Sequence, residues 1–507
     1  MRKISNVFYI TISLISITVI MGVIAPKKFE AITTDLKDFV SNAFGWHYML
    51  LMTLLLAISL FLIFSPYGKI RLGKDEDRPT FSTITWIAML FSAGMGIGIV
   101  FYGAAEPLSH FATQTLSTEP YTNAAFKESL RQTFFHWGLH VWALYGVVAL
   151  SLAYFQYRKN EPALISATLK PIFGKKMTGP FGTIIDVFAV FATAFGVATS
   201  LGFGALQING GLHYLFGITI STPVQFIIIA IVTFLFILSA KTGLNKGIKI
   251  LSNANLILAL GLLGFVLVLG PTLLIFDVFT DSIGGYFSNL ISMSFQTAPF
   301  DSSKREWIEG WTIFYWAWWI SWAPFVSLFI ARVSKGRTIR EFMIGVLLAP
   351  TILSMFWFSA FGTTAIEVQK EGVIDLAGKA IELSIFEMFG SMPGTAILSA
   401  VAVLLIVSFF ITSADSATFI LGMQSTYGSL TPPDNIKVIW GVIQSAIALI
   451  LLYAGGLQAL QNTIIIAALP FTIIILLMII SLFKALGAKK KKEIKNQKAL
   501  VKKLKEL

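Results

Sequence analysis

The chain has 507 residues, is 56% hydrophobic and only 13% charged, carries a formal net charge of +12, and contains no cysteine. Such a composition belongs to a polytopic membrane protein rather than a soluble domain, and without cysteine there is no disulfide framework, thiolate metal site or cysteine nucleophile. The positive charge does not mark a nucleic-acid binder, because 29 of the 38 Lys and Arg lie on one alternating set of loops and the two termini, which is the positive-inside distribution.

Hydropathy predicts twelve membrane spans, beginning near Val7, Trp46, Thr83, Gln132, Ile184, Thr222, Leu251, Trp307, Phe342, Ala396, Ile436 and Asn462. The basic segments are the N-terminus, 68–79, 158–176, 241–249, 332–340, 425–437 and the C-terminal tail. Each lies an even number of crossings from the N-terminus, so both termini are expected in the cytoplasm. The first apolar run, Val7–Ile24, is long and no A-x-A site follows it, so it reads as a span rather than a cleavable signal. Residues 281–300 are too polar and Gly-broken to cross, and are expected to form an interfacial amphipathic helix. The tail AKKKKEIKNQKALVKKLKEL is a basic helix or disordered segment. It serves as a topology anchor or is drawn to anionic lipid.

The third span reads SAGMGIGIVFYGAAEP, with Gly94, Gly96 and Gly98 alternating at its centre. Each Gly weakens a helix by about 1 kcal/mol relative to Ala. Three together either permit close helix packing or unwind the helix. Unwound backbone at membrane depth is tolerated where it is buried or lines a cavity, and broken helices are where transporters hold substrate. GMGIG is not a dinucleotide loop, since no strand precedes it.

The fourth span, FFHWGLHVWALY, sets Trp137, Trp142 and Tyr145 within an arc of about 140°, one possible wall of an aromatic box. His136 and His140 stand at i, i+4, a metal-ligand spacing. No third ligand is evident nearby, so structural hydrogen bonding is expected. The fifth span is lined with Thr193, Thr199, Ser200 and several glycines.

The eighth span carries five tryptophans between Trp311 and Trp322. They run through the middle of the span, so an interfacial belt does not explain them. On a helix Tyr315, Trp319 and Trp322 share one face, and Trp318, Trp322 and Phe325 the adjoining one. Aromatic faces turned inward either pack helices together or attract cations, quaternary ammonium groups above all. The tenth span, VSFFITSADSATF, places Thr412, Ser413, Asp415 and Ser416 deep in an apolar run. Such residues bond helix to helix or serve function. No nucleophile–base pair, metal set or nucleotide motif points to an enzyme.

GMGIG followed by FYGAAEP, then FHWGLHVWALY, then FYWAWWISWAPFVSLFIARVSKGRTIREF, together resemble the betaine/choline/carnitine transporter family over residues 5–485. The resemblance implies an all-α LeuT-like fold in which two extra N-terminal helices (1–80) precede inverted five-helix repeats (spans 3–7, within 81–276, and spans 8–12, within 304–486). The amphipathic helix falls in 277–303 and the tail in 487–507. It further implies a homotrimer in the lipid bilayer of the cell membrane, alternating access, and import of glycine betaine coupled to sodium, with no organic cofactor; choline or carnitine is the alternative substrate.

Residue by residue, the family's aromatic box falls on Trp137, Trp142, Tyr145 and Trp319. Trp322 and the backbone of Gly94, Gly96 and Gly98 meet the carboxylate side of the ligand. The sodium site falls on carbonyls near Ser92, Met95 and Phe409 with the hydroxyls of Thr412 and Ser413. A second, weaker sodium site would use Thr193, Ser200 and Phe325. Sodium-independent carnitine exchangers of the family replace the glycine segment and carry an arginine in span 7. Here the glycines are intact and Asn255 stands at that position. A proline usual before the second box tryptophan is Val141 here, which leaves the kink of span 4 without its usual cause.

Overall fold

The computed structural model describes the backbone of residues 4–94, 96–242 and 247–506, and side chains outside 91–94, 240–250, 252 and 492–507. Every major element is helical. In chain order they are α1 (Asn6–Ile24), α2 (Pro26–Phe64), α3 (Thr83–Gly94), α4 (Ile97–Ala112), α5 (Asn123–Trp137), α6 (Leu139–Lys159), α7 (Pro180–Phe216), α8 (Thr222–Thr242), α9 (Gly247–Leu269), α10 (Thr272–Ser294), α11 (Phe314–Val333), α12 (Ile339–Glu371), α13 (Thr395–Gln424) and α14 (Asp434–Glu506). With no water in a bilayer core, helices satisfy every backbone group internally.

Among the described residues nine helices are long and apolar enough to cross a membrane, or ten if the bent pair Asn253–Leu269 and Thr272–Ser294 counts as one span. Three features separate nine from the twelve expected, one being that span 7, Asn253–Leu269, counts only with its bent partner. The third span is split into α3 and α4, each too short to qualify alone. The last two expected spans lie within α14 as two helices joined across a kink at Gly455 (φ −176°, ψ 18°) and Gly456 (φ 57°, ψ −136°), and so count once. The bend needs glycine at 456, since a positive φ is costly for other residues. The tail continues this helix to Glu506.

The amphipathic helix α10 begins at Thr272, earlier than the residues 277–303 assigned to it, and makes a 110° angle with the preceding helix. Gly270 and Pro271 separate the two; Pro cannot continue the ladder of α9 and so ends it. Leu273, Phe276, Phe287 and Ile291 of α10 are exposed.

Span 4 does break, without a proline. Gly138 (φ −97°, ψ −137°) divides α5 from α6, and a Cβ there would stand 2.4 Å from the Phe134 carbonyl oxygen. Span 8 starts as the short helix Ser302–Ile308 and passes through a π-helical turn, Glu309–Ile313, before α11; such turns are frequent at functional sites. Close packing rests on small residues. A Cβ on Gly196 of α7 would lie 2.9 Å from Ser321 Cβ of α11, so glycine lets the two backbones approach.

On the basic-loop side, Thr338 and Glu341 form a capping box at the start of α12. The buried Arg337 lies 4.0 Å over the Trp86 ring. Arg158 donates to Asp75 at 2.6 Å, and this bond holds the Asp75 carboxyl below the usual carboxylate range.

Candidate functional site

Three helix interruptions converge. The gap between α3 and α4 puts the N-terminal end of α4 inside the protein; its first N–H groups have no intrahelical carbonyl to bond, and the helix dipole makes that end positive. Gly138 re-aims span 4 between Trp137 and Trp142. The π-turn re-aims the tryptophans of α11. Met95 lies outside the described residues, as does the side chain of Ser92; the backbone of Ser92 and Gly94 closes α3.

The glycines of α4 face the aromatic rings. A Cβ on Gly98 would sit 2.6 Å from Trp318 Cη2 and 3.1 Å from Trp137 Cη2. One on Gly96 would sit 3.3 Å from Trp322 Cη2 and 3.4 Å from Ser413 Oγ. The indoles therefore pack directly on glycine backbone, where a side chain would collide with them.

Of the expected box, Trp137 and Trp319 meet edge to face at 4.8 Å between centroids. Trp142 and Tyr145 form a second pair at 5.7 Å. All four are buried, and the Tyr145 hydroxyl has no hydrogen-bond partner among the described residues. Trp319 Nε1 donates to the His136 carbonyl at 3.0 Å, and Trp322 Nε1 to the Gly196 carbonyl at 2.9 Å. Both N–H groups are thereby satisfied within the protein, which fixes the orientation of the two rings.

Three further residues complete this cluster. Trp318 stacks on Trp319 at 4.8 Å and 11°. Tyr315 stacks on Trp319 at 5.9 Å and 21°. Glu106 of α4, fully buried, accepts hydrogen bonds from Trp137 Nε1 at 2.7 Å and Tyr315 Oη at 2.5 Å. The signal for Glu106 was present in the sequence, as an acid inside an apolar span, but FYGAAEP drew attention only through its family likeness. His136 Nδ1 bonds Glu106 at 2.7 Å, and His140 Nε2 bonds Ser294 at 3.0 Å. The two histidines at i, i+4 are thus held by separate hydrogen-bond partners.

Of the expected ion ligands, Thr412 Oγ1 donates to the Ser408 carbonyl at 2.9 Å, with the Phe409 carbonyl at 3.2 Å, and accepts from Asn255 Nδ2 at 3.0 Å. Ser413 Oγ lies beside Gly96, 3.4 Å from where a Cβ would stand. For the second set, Thr193 donates to Ala189 within its own helix at 2.8 Å. Ser200 accepts from Trp318 Nε1 at 3.1 Å, and Phe325 meets Trp322 edge to face at 5.7 Å. A cavity of about 270 Å³ lies apart from all of these, between Trp46, Arg305 and Glu309.

The family model for betaine/carnitine/choline transporters, BCCT, matches residues 6–491. The chain belongs to the BCCT family. It is 57% identical over 500 residues to a protein named glycine betaine transporter OpuD from Bacillus subtilis (strain 168), covering 99% of this chain and 98% of that one. A glycine betaine transporter of Acinetobacter baylyi is 44% identical, covering 95% of this chain and 73% of that one. An ectoine/hydroxyectoine transporter of Virgibacillus pantothenticus is 42% identical, covering 96% and 97%. This BCCT chain is accordingly a multi-pass membrane transporter and not an enzyme, and its aromatic cluster is read below as a solute site.

Proposed function

We propose that this transporter imports glycine betaine by sodium symport with alternating access. The observation that carries the reading is the meeting of α4's N-terminal glycines with the Trp137, Trp318 and Trp322 rings. Glycine betaine has a carboxylate at one end and a trimethylammonium at the other. Helix N–H groups suit the first and aromatic faces the second. Trp137, Trp142, Tyr145 and Trp319 hold the trimethylammonium. Trp322 and the backbone of Gly94, Gly96 and Gly98 hold the carboxylate. The names of the Bacillus and Acinetobacter relatives point to the same solute.

Sodium is a hard cation that takes oxygen ligands. Carbonyls near Ser92, Met95 and Phe409 and the hydroxyls of Thr412 and Ser413 would hold it, next to the glycine break, so ion and solute share one wall. A second ion would be held by Thr193, Ser200 or nearby carbonyls and the Phe325 face. Because the cluster is buried, solute entry needs helix movement; spans 3–7 and 8–12, read as inverted repeats, supply two bodies that can rock. The loop charges favour cytoplasmic termini. A homotrimer in the plasma membrane completes the reading, with α10 along the membrane surface.

A second substrate, ectoine, is favoured by the Virgibacillus relative's name: it too joins a delocalised cation to a carboxylate. Choline and carnitine are the remaining alternatives. The test is radiolabelled betaine uptake into proteoliposomes under an imposed sodium gradient, with ectoine, choline and carnitine as competitors. Uphill accumulation that requires sodium and is displaced best by betaine is expected. Uptake that ignores sodium, or a different winning competitor, rejects the corresponding part.

A further inference from the structure

Glu106 has no part in the solute and ion contacts proposed above, yet an acid in an apolar span is costly enough to need a reason. Its two oxygens face different neighbours. Oε2 takes Trp137 Nε1 and Tyr315 Oη, both members of the aromatic cluster. Oε1 faces the imidazoles, with His136 Nδ1 at 2.7 Å and His110 Nε2 at 3.4 Å. Indole N–H can only donate, and an ionised carboxylate can only accept, so Oε2 with its two short bonds is matched to the charged form. The carboxylate therefore stands behind the edges of the Trp137 and Tyr315 rings. An indole or phenol bonded to an anion is more electron-rich at its face. In a buried site of low dielectric the charge also acts on a cation beyond contact distance.

We infer that Glu106 is the specificity-determining positioning residue of the aromatic site: it locks Trp137 and Tyr315 in place and supplies the negative charge by which the site prefers a quaternary ammonium to an uncharged group of the same shape. The inference rests on the quaternary-ammonium reading given above. The same carboxylate, with His110 and His136, offers ligand atoms within 4.8 Å of one another, a set able to hold a metal ion. The two hydrogen bonds from Trp137 and Tyr315 favour the cage role, and the metal role becomes an outcome of the test.

Glycine betaine has a carbon isostere, 3,3-dimethylbutanoate, in which a quaternary carbon replaces the nitrogen. Displacement of radiolabelled betaine from the purified transporter in proteoliposomes gives the preference for betaine over the isostere. Glu106→Gln keeps shape and hydrogen-bond acceptance but removes the charge, and is expected to lower that preference at least about tenfold. Glu106→Asp keeps the charge and should retain most of the preference. Weaker binding of both ligands in equal proportion by Glu106→Gln would show a purely structural role and overturn the inference. Where Glu106→Gln does not reach the membrane, Tyr315→Phe takes its place: it loses one hydrogen bond but not the charge, so a collapsed preference there overturns the inference as well. Loss of the preference on chelation, reproduced by His110→Ala, would assign the cluster to a metal instead. Failure of the wild type to bind betaine at all would reject the solute reading and leave Glu106 to be tested on the solute that does bind.

Discussion

Trp137 and Trp319, far apart in the chain, meet edge to face at 4.8 Å with their planes at 73°. In the proposed box, a trimethylammonium seated against both indoles would meet a negative ring face of each. A desolvated cation–π contact is worth about 2 kcal/mol or more, and 1.4 kcal/mol is about tenfold in affinity. Trp319→Ala or Trp142→Ala is expected to weaken betaine binding about thirtyfold. Trp319→Phe, which keeps a ring face, should lose less. Binding isotherms on protein of normal membrane abundance check this, and near wild-type affinity in both alanine variants would reject the box.

Gly98 is expected to set both room and charge. A Cβ there would come within 2.6 Å of Trp318 Cη2, so Gly98→Ala should already push an indole aside and weaken binding several-fold, of the order of 1 kcal/mol for an overpacked site. Gly98→Asp adds a carboxylate that repels betaine's own and welcomes cationic choline, specificity by an introduced repulsion. The measurement is the ratio of choline to betaine inhibition constants. It should fall in Gly98→Asp below its value in Gly98→Ala, which controls for bulk.

Thr412 and Ser413 are expected to act on the ion before the solute. Replacing both by Ala removes two oxygen ligands and also the acceptor of Asn255 Nδ2. The sodium concentration for half-maximal uptake should rise several-fold. Betaine affinity should recover at saturating sodium, because linkage acts through occupancy of the ion site. An unchanged sodium dependence would place the ion elsewhere.

The sodium:betaine ratio is expected to be two. Betaine has no net charge, so the membrane potential acts only on sodium, at about 2.3 kcal/mol per charge per 100 mV. A second ion would roughly double the exponent of accumulation. Its proposed ligands already have partners: Thr193 bonds Ala189, and Ser200 accepts from Trp318. Thr193 donates and keeps its lone pairs, but a second ion would have to compete with Trp318 for the Ser200 oxygen, which fits a weak site. Reversal potentials in proteoliposomes with independent sodium and betaine gradients give the ratio. A value of one removes the second site and leaves Thr412 and Ser413 as the coupling ligands.

Much of the architecture was legible in the chain because its causes are local. Apolar runs, basic loops and the glycine triplet each act within a few turns, and all twelve expected starts fall inside helices. The breaks were only partly legible. Three alternating glycines announced the break at Gly96, whereas the single Gly138 between Trp137 and His140 did not announce the break in span 4, and Gly455–Gly456 did not announce how tightly the last two expected spans are joined.

What the sequence by itself determined is the class of protein, the order of its helices and the family whose motifs it carries, since these follow from hydrophobicity and residue identity along the chain. Only the tertiary structure decided which side chains meet. Tyr315 and Glu106, 209 residues apart, share a hydrogen bond, and Asn255 reaches Thr412 across 157. Helical periodicity says which face a residue occupies but not which distant helix that face will pack against. That choice is made by the fit of glycine backbones to indole rings and by the need of each buried polar group to find a partner.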